Sequence, residues 1–286
     1  MEKLDSLIAR AEGLINKLET LLSANAVPID WSASAWRWTM QNNKGALQAI
    51  LHPHVIRLEN IHFVDVQKAE IVRNTRQFLQ GLPANNVLLT GARGTGKSSL
   101  IKALLTEYSS QGLRLIEVEK HDLIHLAEIV SLIRNRPEKF IIFCDDLTFE
   151  ANDAGYKALK VVLDGSIAHT SDNVLVYATS NRKNLMPEMM TDNLAFKQAD
   201  GEIRPNETMD EKVALAERFG LWLSFYVFDQ DEYLAIAESW LKSFHVPWDE
   251  AAKQAALVFS HTRGMRSGRV AYQFARDYAG KRKLNE

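Results

Sequence analysis

The amino-acid sequence predicts an α/β fold: a parallel five-stranded sheet flanked by helices and followed by a helical C-terminal region. The first observation behind this prediction is a series of short, nearly continuous apolar runs, at residues 87–89, 113–118, 140–144, 174–178 and 223–228. The second is that helical patterns separate most of these runs. Strands that are apolar on both faces are typical of a parallel sheet with helices on either side. The third observation is that no strand-like run follows Phe228, where three helical patterns take over.

The 286 residues suffice for one large domain or two modest ones. We expect an N-terminal helical segment (1–60), an α/β core (61–228) and a C-terminal helical region (229–286). Apolar residues spaced by three and four along 4–22 predict an amphipathic helix, which packs on its own domain or contacts another chain. Residues 25–60 are interpreted as a helical linker. Residues 65–79 are expected to form a helix that is capped by Asp65 and ended by Gly81.

Composition excludes several classes of protein. Apolar residues make up 46% and charged residues 24% of the chain, as in globular proteins, so a wholly disordered chain is excluded. Lys and Arg total 34 against 36 Asp and Glu, which disfavours bulk, non-specific DNA binding. No apolar run is long enough to span a membrane. The single cysteine, Cys144, fits a reducing compartment, and we expect a cytoplasmic protein.

A phosphate-binding loop is the strongest signal in the chain. Residues 91–98 match the pattern G-x-x-x-x-G-K-[ST], between a predicted strand and a predicted helix. The residues expected to bind the nucleotide are Gly91, Ala92, Arg93, Gly94, Thr95, Gly96, Lys97, Ser98 and Ser99. Glycines let the backbone N–H groups converge on a phosphate, and the following helix directs its positive end to the same point. Lys97 is expected to reach the β- and γ-phosphates of ATP, and the Ser98 hydroxyl to bind Mg²⁺.

A pair of carboxylates follows the predicted strand at 140–144. Asp145 is expected to hold Mg²⁺ through its water shell, and Asp146 to orient or deprotonate the attacking water. Glu150 is a weaker candidate for the base. Two acids after a strand also occur as a helix cap or a turn, and the phosphate-binding loop favours the metal interpretation.

Three further segments extend the pattern: a strand-like run at 174–181 that ends in Asn181, the stretch 217–220 around Arg218, and 264–269, which opens the last helical pattern. With the two motifs above, the chain resembles the AAA+ ATPases over roughly residues 60–280. It is most similar to an uncharacterised bacterial family of that superfamily. Replication-initiator and helicase-loader ATPases also carry an Asp-Asp pair at this point.

The resemblance implies further roles. Asn181 matches the sensor-1 residue, on a strand between the phosphate-loop strand and the metal strand. Arg218 matches the arginine finger, which reaches the nucleotide of a neighbouring subunit. Arg266 matches the sensor-2 arginine of a helical lid, with Arg269 as the alternative. Each residue also has a structural interpretation: a turn for Asn181, an ion pair with a surface acid for Arg218, and a cap or a pair within the lid for Arg266.

The expected function is that of a Mg²⁺-dependent ATPase, a homo-oligomer that hydrolyses ATP at a subunit interface and remodels an unknown protein partner. Hydrolysis is expected to be slow, because Asp146 is one methylene shorter than the glutamate found in many AAA+ motors, and a displacement of about 1 Å can cost on the order of 10²-fold in rate. Two alternatives remain: a nucleic-acid loader of the initiator type, and a scaffold that binds ATP without hydrolysing it.

Overall fold

The computed structural model describes residues 28–41, 44–149, 153–164, 172–181, 198–199, 202–203, 215 and 217–284. Seven strands of this part of the chain form one mixed sheet: β1 (Ala35–Gln41), β2 (Lys44–Ala49), β3 (Val87–Gly91), β4 (Leu113–Val118), β5 (Lys139–Cys144), β6 (Val174–Ser180) and β9 (Leu221–Phe225). Their order in the sheet is β2-β1-β4-β5-β6-β3-β9. Two short strands, β7 (Gln198–Ala199) and β8 (Glu202–Ile203), pair only with each other. The helix predicted at 4–22 lies outside the described residues.

Helices cover both faces of the sheet. They are α1 (Asp65–Leu79), α2 (Lys97–Tyr108), α3 (Leu126–Ile133) and α4 (Ala154–Asp164). Strand β5 is buried on both faces: Phe140 and Ile142 belong to one apolar cluster, and Ile141 and Phe143 to the other. The first cluster contains side chains of α3 and α4, and the second contains side chains of α1 and α2. This two-sided burial explains why the central strands have unbroken apolar sequences.

The five predicted strands correspond to β3, β4, β5, β6 and β9, which pair in parallel, but the count of five is too low. The additional pair, β1 and β2, is an antiparallel hairpin at the edge of the sheet, where a helical linker was predicted. Trp36 and Trp38 alternate with polar residues and are buried against the sheet, with the Trp36 ring 6.2 Å from that of Phe140. Gly45 lies against the Trp38 ring, where a Cβ would come within 1.9 Å. The two-residue period of the tryptophans was the signal for a strand.

The first core helix has the predicted bounds but a different N-cap residue. Asp65 is its first residue and does not cap it, because the N-cap position is Val64 and makes no side-chain hydrogen bond. At its other end, Gly81 has a φ of 71°, the left-handed conformation that glycine tolerates best.

The C-terminal region consists of α5 (Gln230–Ser243), α6 (Glu250–Arg263) and α7 (Gly268–Lys283). Asp229, Asp249 and Ser267 cap them, each accepting a hydrogen bond from a backbone N–H in the first turn. These helices enclose a separate apolar cluster, which also takes in Phe228. The last strand of the sheet therefore ends at Phe225 rather than at the predicted Phe228. No helix of the described part of the chain is long and apolar enough to cross a membrane.

Candidate active site

The phosphate-binding loop connects β3 to α2 in a tightly folded turn. Gly91, Gly94 and Gly96 all have positive φ angles, and α2 begins at Lys97 with Gly96 as its N-cap. At Gly91 a Cβ would lie 1.9 Å from the carbonyl oxygen of Phe225, so only glycine fits there. At Gly94 a Cβ would lie 2.8 Å from Ser267 Oγ, so the loop touches the N-terminus of α7. The loop is thus held between the sheet and the C-terminal helices.

Lys97 is buried and directed back into its own loop. Its Nζ donates hydrogen bonds to the carbonyl oxygens of Gly91, at 2.8 Å, and Ala92, at 2.7 Å, and to Asn181 Oδ1, at 3.1 Å. Burial lowers the pKa of Lys97 from 10.5 to about 8, although Asp146 and Asp145 oppose this shift. The ammonium therefore sits at the end of β3 with oxygen partners from the loop and from β6.

The two aspartates lie at the carboxyl end of β5, beside the loop. Asp145 Oδ1 accepts hydrogen bonds from Ser98 Oγ, at 2.6 Å, and from Thr179 Oγ1, at 2.5 Å. Asp146 Oδ1 accepts one from Asn181 Nδ2, at 2.6 Å, and its Oδ2 lies 3.8 Å from Arg93 Nη2. Strand β6 lies between β5 and β3, so the carboxyl ends of three neighbouring strands meet at this point.

Thr179 also lies at this site, although the sequence pattern predicted no role for it. The sequence predicted a role only for Asn181, the last polar residue of the run at 174–181. The position of Thr179 near the end of that strand was a weak signal, because its contact with Asp145 also depends on the register of β5 and β6. Glu150, the weaker candidate for the base, lies outside the described residues.

The donors at this site fit Mg²⁺ and a triphosphate. One hydroxyl and one carboxylate, from Ser98 and Asp145, form a small set of hard oxygen ligands, and Mg²⁺ is typically bound by one or two carboxylates together with water and substrate phosphates. Over the residues whose placement is described, no group of three or more His, Cys, Asp or Glu side chains forms a separate metal site. The adjoining glycine turn, with its lysine and helix N-terminus, supplies the positive field that phosphates need.

A cavity of about 760 Å³ joins this site to the C-terminal helices. Residues 93–99 line it, whereas Gly91 and Ala92 do not and instead offer their carbonyl oxygens to Lys97. Apolar and aromatic side chains also line it: Ile61, Phe228, Ile236, Trp240 and Tyr272. The Trp240 and Tyr272 rings pack edge to face at 4.7 Å. The cavity thus combines charged and apolar lining, which suits the phosphates and the base of a nucleotide.

Arg269 lines the cavity and Arg266 does not. Arg269 is near enough to Lys97 for its charge to contribute to the lowered pKa of the lysine. Arg266 precedes the N-cap Ser267, and its Nη2 donates a hydrogen bond to Gln230 Oε1, at 3.2 Å, outside the cavity lining. Of the two sensor-2 candidates, the structure brings the alternative, Arg269, to the site.

Arg218 is also not brought to the cavity of its own chain. Its Nε forms a hydrogen-bonded ion pair with Asp164 Oδ1, at the end of α4. About a quarter of the Arg218 side chain remains exposed. This pairing agrees with the structural interpretation of Arg218, and an arginine that acts on a neighbouring subunit is not expected in the cavity of its own chain.

The profile of the family described as "Protein of unknown function (DUF815)" matches residues 31–282. No curated protein sequence matches the chain. Among solved structures, RuvB of Thermotoga maritima, a Holliday junction branch migration motor, is 17% identical and aligns with a TM-score of 0.50 over 77% of this chain and 63% of RuvB. A variant of that RuvB is 15% identical, with a TM-score of 0.52 over 76% and 62%. This chain therefore spans less than two thirds of the solved chains. These alignments confirm the expected fold, which the chain shares with RuvB.

Proposed function

The chain belongs to the DUF815 family, and on that premise, with its AAA+ fold, we propose that it is a Mg²⁺-dependent ATPase acting as an oligomeric switch. The observation that carries the proposal is the hydrogen bond from Ser98 Oγ to Asp145 Oδ1. It joins the phosphate-binding loop to the acidic strand at the end of a cavity that suits a nucleotide. A glycine-rich turn with a merely structural role would not require a carboxylate at this position.

The residues of the loop would bind the triphosphate. The backbone N–H groups of residues 94–98 and the Lys97 ammonium would contact phosphate oxygens, while Ser98 and Asp145 would hold Mg²⁺. Bound Mg²⁺ neutralises part of the phosphate charge. Because Lys97 Nζ is held by three oxygens of its own chain, it would have to exchange some of them for phosphate oxygens on binding.

Asp146 and Asn181 would orient the attacking water. Both side chains line the cavity, and the hydrogen bond between them fixes the carboxylate relative to the end of β6. We infer that hydrolysis is slow, because the Asp146 side chain is short and its Oδ1 is already engaged by Asn181. This supports a switch controlled by ATP rather than a processive motor.

The C-terminal helices would serve as the lid. Arg269, Trp240 and Tyr272 line the same cavity as the phosphate-binding loop. A ligand that contacts both regions would favour one arrangement of core and lid over others, in proportion to its differential affinity. We infer that this change acts on a protein partner, and that Arg218 completes the site of a neighbouring subunit.

Phosphate release from ATP by the purified protein tests this proposal. We expect wild-type turnover below about one per second, since enzymatic phosphoryl transfer typically runs at about 1–100 per second and a misplaced base lowers it. Lys97→Ala is expected to lower kcat/KM by about 10²–10³-fold through the loss of a charge aimed at the phosphates. Lys102→Ala, the matched control on the same helix, removes a lysine that pairs with Glu117 outside the cavity and should leave the rate unchanged.

Three outcomes would change the conclusion. Equal rates for wild type and Lys97→Ala would contradict the assignment of the site. Full recovery of intact ATP from protein loaded with Mg²⁺ would select the non-hydrolysing scaffold. Strong stimulation by single-stranded DNA would select the nucleic-acid loader.

A further inference from the structure

A buried threonine, Thr179, forms hydrogen bonds with each of residues 145–147, the segment that contains the two aspartates. Thr179 Oγ1 donates a hydrogen bond to Asp145 Oδ1, at 2.5 Å, and accepts one from the backbone N–H of Asp146, at 2.9 Å. The carbonyl oxygen of Thr179 accepts a third hydrogen bond from the backbone N–H of Leu147, at 2.7 Å. A single residue of β6 therefore contacts three consecutive residues that follow β5.

The first of these contacts fixes the direction in which the Thr179 hydroxyl donates its proton. A hydroxyl has one proton to donate, and here the carboxylate of Asp145 receives it. Only 2% of Thr179 is exposed, so its hydroxyl is largely shielded from water although the residue borders the cavity. Ser98 donates to the same carboxylate oxygen, so the orientation of Asp145 is set by one hydroxyl from the loop and one from β6.

The second contact acts on the backbone of Asp146. This residue has a φ of 53°, the left-handed region that few residues other than glycine adopt, although Asp and Asn tolerate it better than most. The bond from its N–H to Thr179 helps to hold this conformation, from which the Asp146 carboxylate reaches Asn181. A left-handed backbone also gives a local reason for Asp instead of Glu at this position.

We propose that Thr179 is a positioning residue of the ATPase site: its hydroxyl sets the orientation of the metal-binding carboxylate and the backbone conformation of the water-orienting one. This inference rests on the proposed function. A threonine with only a packing role would contribute to stability without affecting Mg²⁺ or turnover, so the two roles differ in what they predict.

The test compares Thr179→Val, which removes the hydroxyl at nearly constant volume, with Thr179→Ser, which keeps it. ATP affinity is measured by calorimetry in EDTA and again in Mg²⁺, and kcat and KM are measured separately. For Thr179→Val we expect unchanged affinity in EDTA, at least about a 10-fold loss of the affinity gained from Mg²⁺, and a kcat lower by about 10–100-fold, as for the loss of outer-sphere partners of metal ligands. Thr179→Ser should retain most of both properties.

Thr75→Val is the matched control, because it removes another fully buried hydroxyl, one that bonds to Ile71 and Tyr177 away from the cavity. It should lower the melting temperature and leave the Mg²⁺ effect and kcat unchanged. If Thr179→Val does not fold, Thr179→Cys, which is only a weak donor, should show the same losses in milder form.

The contradicting results are distinct. Wild-type Mg²⁺ dependence and kcat in Thr179→Val or Thr179→Cys would overturn the positioning role while leaving the ATPase intact. So would losses in Thr179→Ser as large as those in Thr179→Val, since these would show that the hydroxyl is not what matters. A wild-type protein that binds no Mg²⁺–ATP would instead overturn the proposed function and this inference with it.

Discussion

The cavity beside the phosphate-binding loop and the region around Arg218 differ in whether the fold brings the predicted site residues together. At the cavity, three separate segments are joined by hydrogen bonds: Lys97 bonds to Asn181, Asn181 to Asp146, and Ser98 to Asp145. Arg218 instead pairs with Asp164 of its own chain. The ends of adjacent parallel strands must converge within one chain, whereas no such constraint brings Arg218 to the cavity. In the proposed function, the target of Arg218 lies on a neighbouring subunit.

The largest expected effect tests whether Arg218 has such a target. Arg218→Ala should lower kcat by about 10³-fold or more if the arginine acts in trans, because it would meet the charge that develops on the transferred phosphoryl group. Mixing Arg218→Ala with Lys97→Ala should then restore activity above the sum of the two, since each variant supplies what the other lacks. ATPase rates over a range of mixing ratios provide the measurement.

Asp164→Asn is the matched control for this comparison. It removes the charge that pairs with Arg218 and leaves the arginine in place, so activity should be kept or should rise. If Asp164→Asn and Arg218→Ala lose activity and melting temperature to the same extent, and mixing restores nothing, then the ion pair is structural and Arg218 is not an arginine finger.

The same contrast shows what could be predicted from the sequence. The phosphate-binding loop and the two aspartates are local motifs attached to buried strands, so their convergence followed from the parallel sheet. The role of Thr179 could not be derived in the same way, because it depends on the register in which Cys144 of β5 pairs with Ala178 of β6. The left-handed backbone of Asp146 is equally a property of the folded turn.

Which of the two arginines, Arg266 or Arg269, reaches the cavity depends on where the last helix begins. Residues 264–269 were expected to open this helix, but α7 begins at Gly268 with Ser267 as its cap. Arg266 therefore precedes the helix, whereas Arg269 lies in its first turn beside the loop. Helix boundaries are less well determined by sequence than the existence of a helix. The difference in the start of α7 was enough to place Arg269 rather than Arg266 at the cavity.

An effect of intermediate size on KM is expected at Arg269, with Arg266 as the comparison. Arg269→Ala should raise KM for ATP by about 10–100-fold, as for the loss of a hydrogen bond between charged groups. Arg266→Ala removes only the hydrogen bond to Gln230 and should change KM little. A larger effect for Arg266→Ala would show that the lid arginine at the nucleotide is Arg266 after all.

The smallest expected effect is a pH dependence that arises from Lys97. Its pKa of about 8 in the folded chain means that the ammonium is lost as the pH rises through 8, so ATP affinity in Mg²⁺-free buffer should fall, by about 10-fold or less between pH 7 and 9.

The free energy of unfolding should change in the opposite direction. Between pH 8 and 10.5 the unfolded chain binds more protons at Lys97 than the folded one, so the contribution of Lys97 to the free energy of unfolding rises with pH. Titrations of wild type and Lys97→Ala at several pH values check both signs. Identical profiles for the two proteins would exclude Lys97 as the source.

In the proposed function, Ser98 and Asp145 hold the metal ion at the end of the phosphate-binding loop. Anomalous scattering tests this arrangement most directly. In crystals grown with Mn²⁺ and a non-hydrolysable ATP analogue, we predict an anomalous peak for a Mn²⁺ ion that is coordinated by Ser98 Oγ. Asp145 should bind this ion directly or through one water, and Lys97 Nζ should contact the terminal phosphates. A nucleotide bound in the cavity with the metal away from both residues, or with Asp145 and Asp146 directed away from Lys97, would contradict the claim.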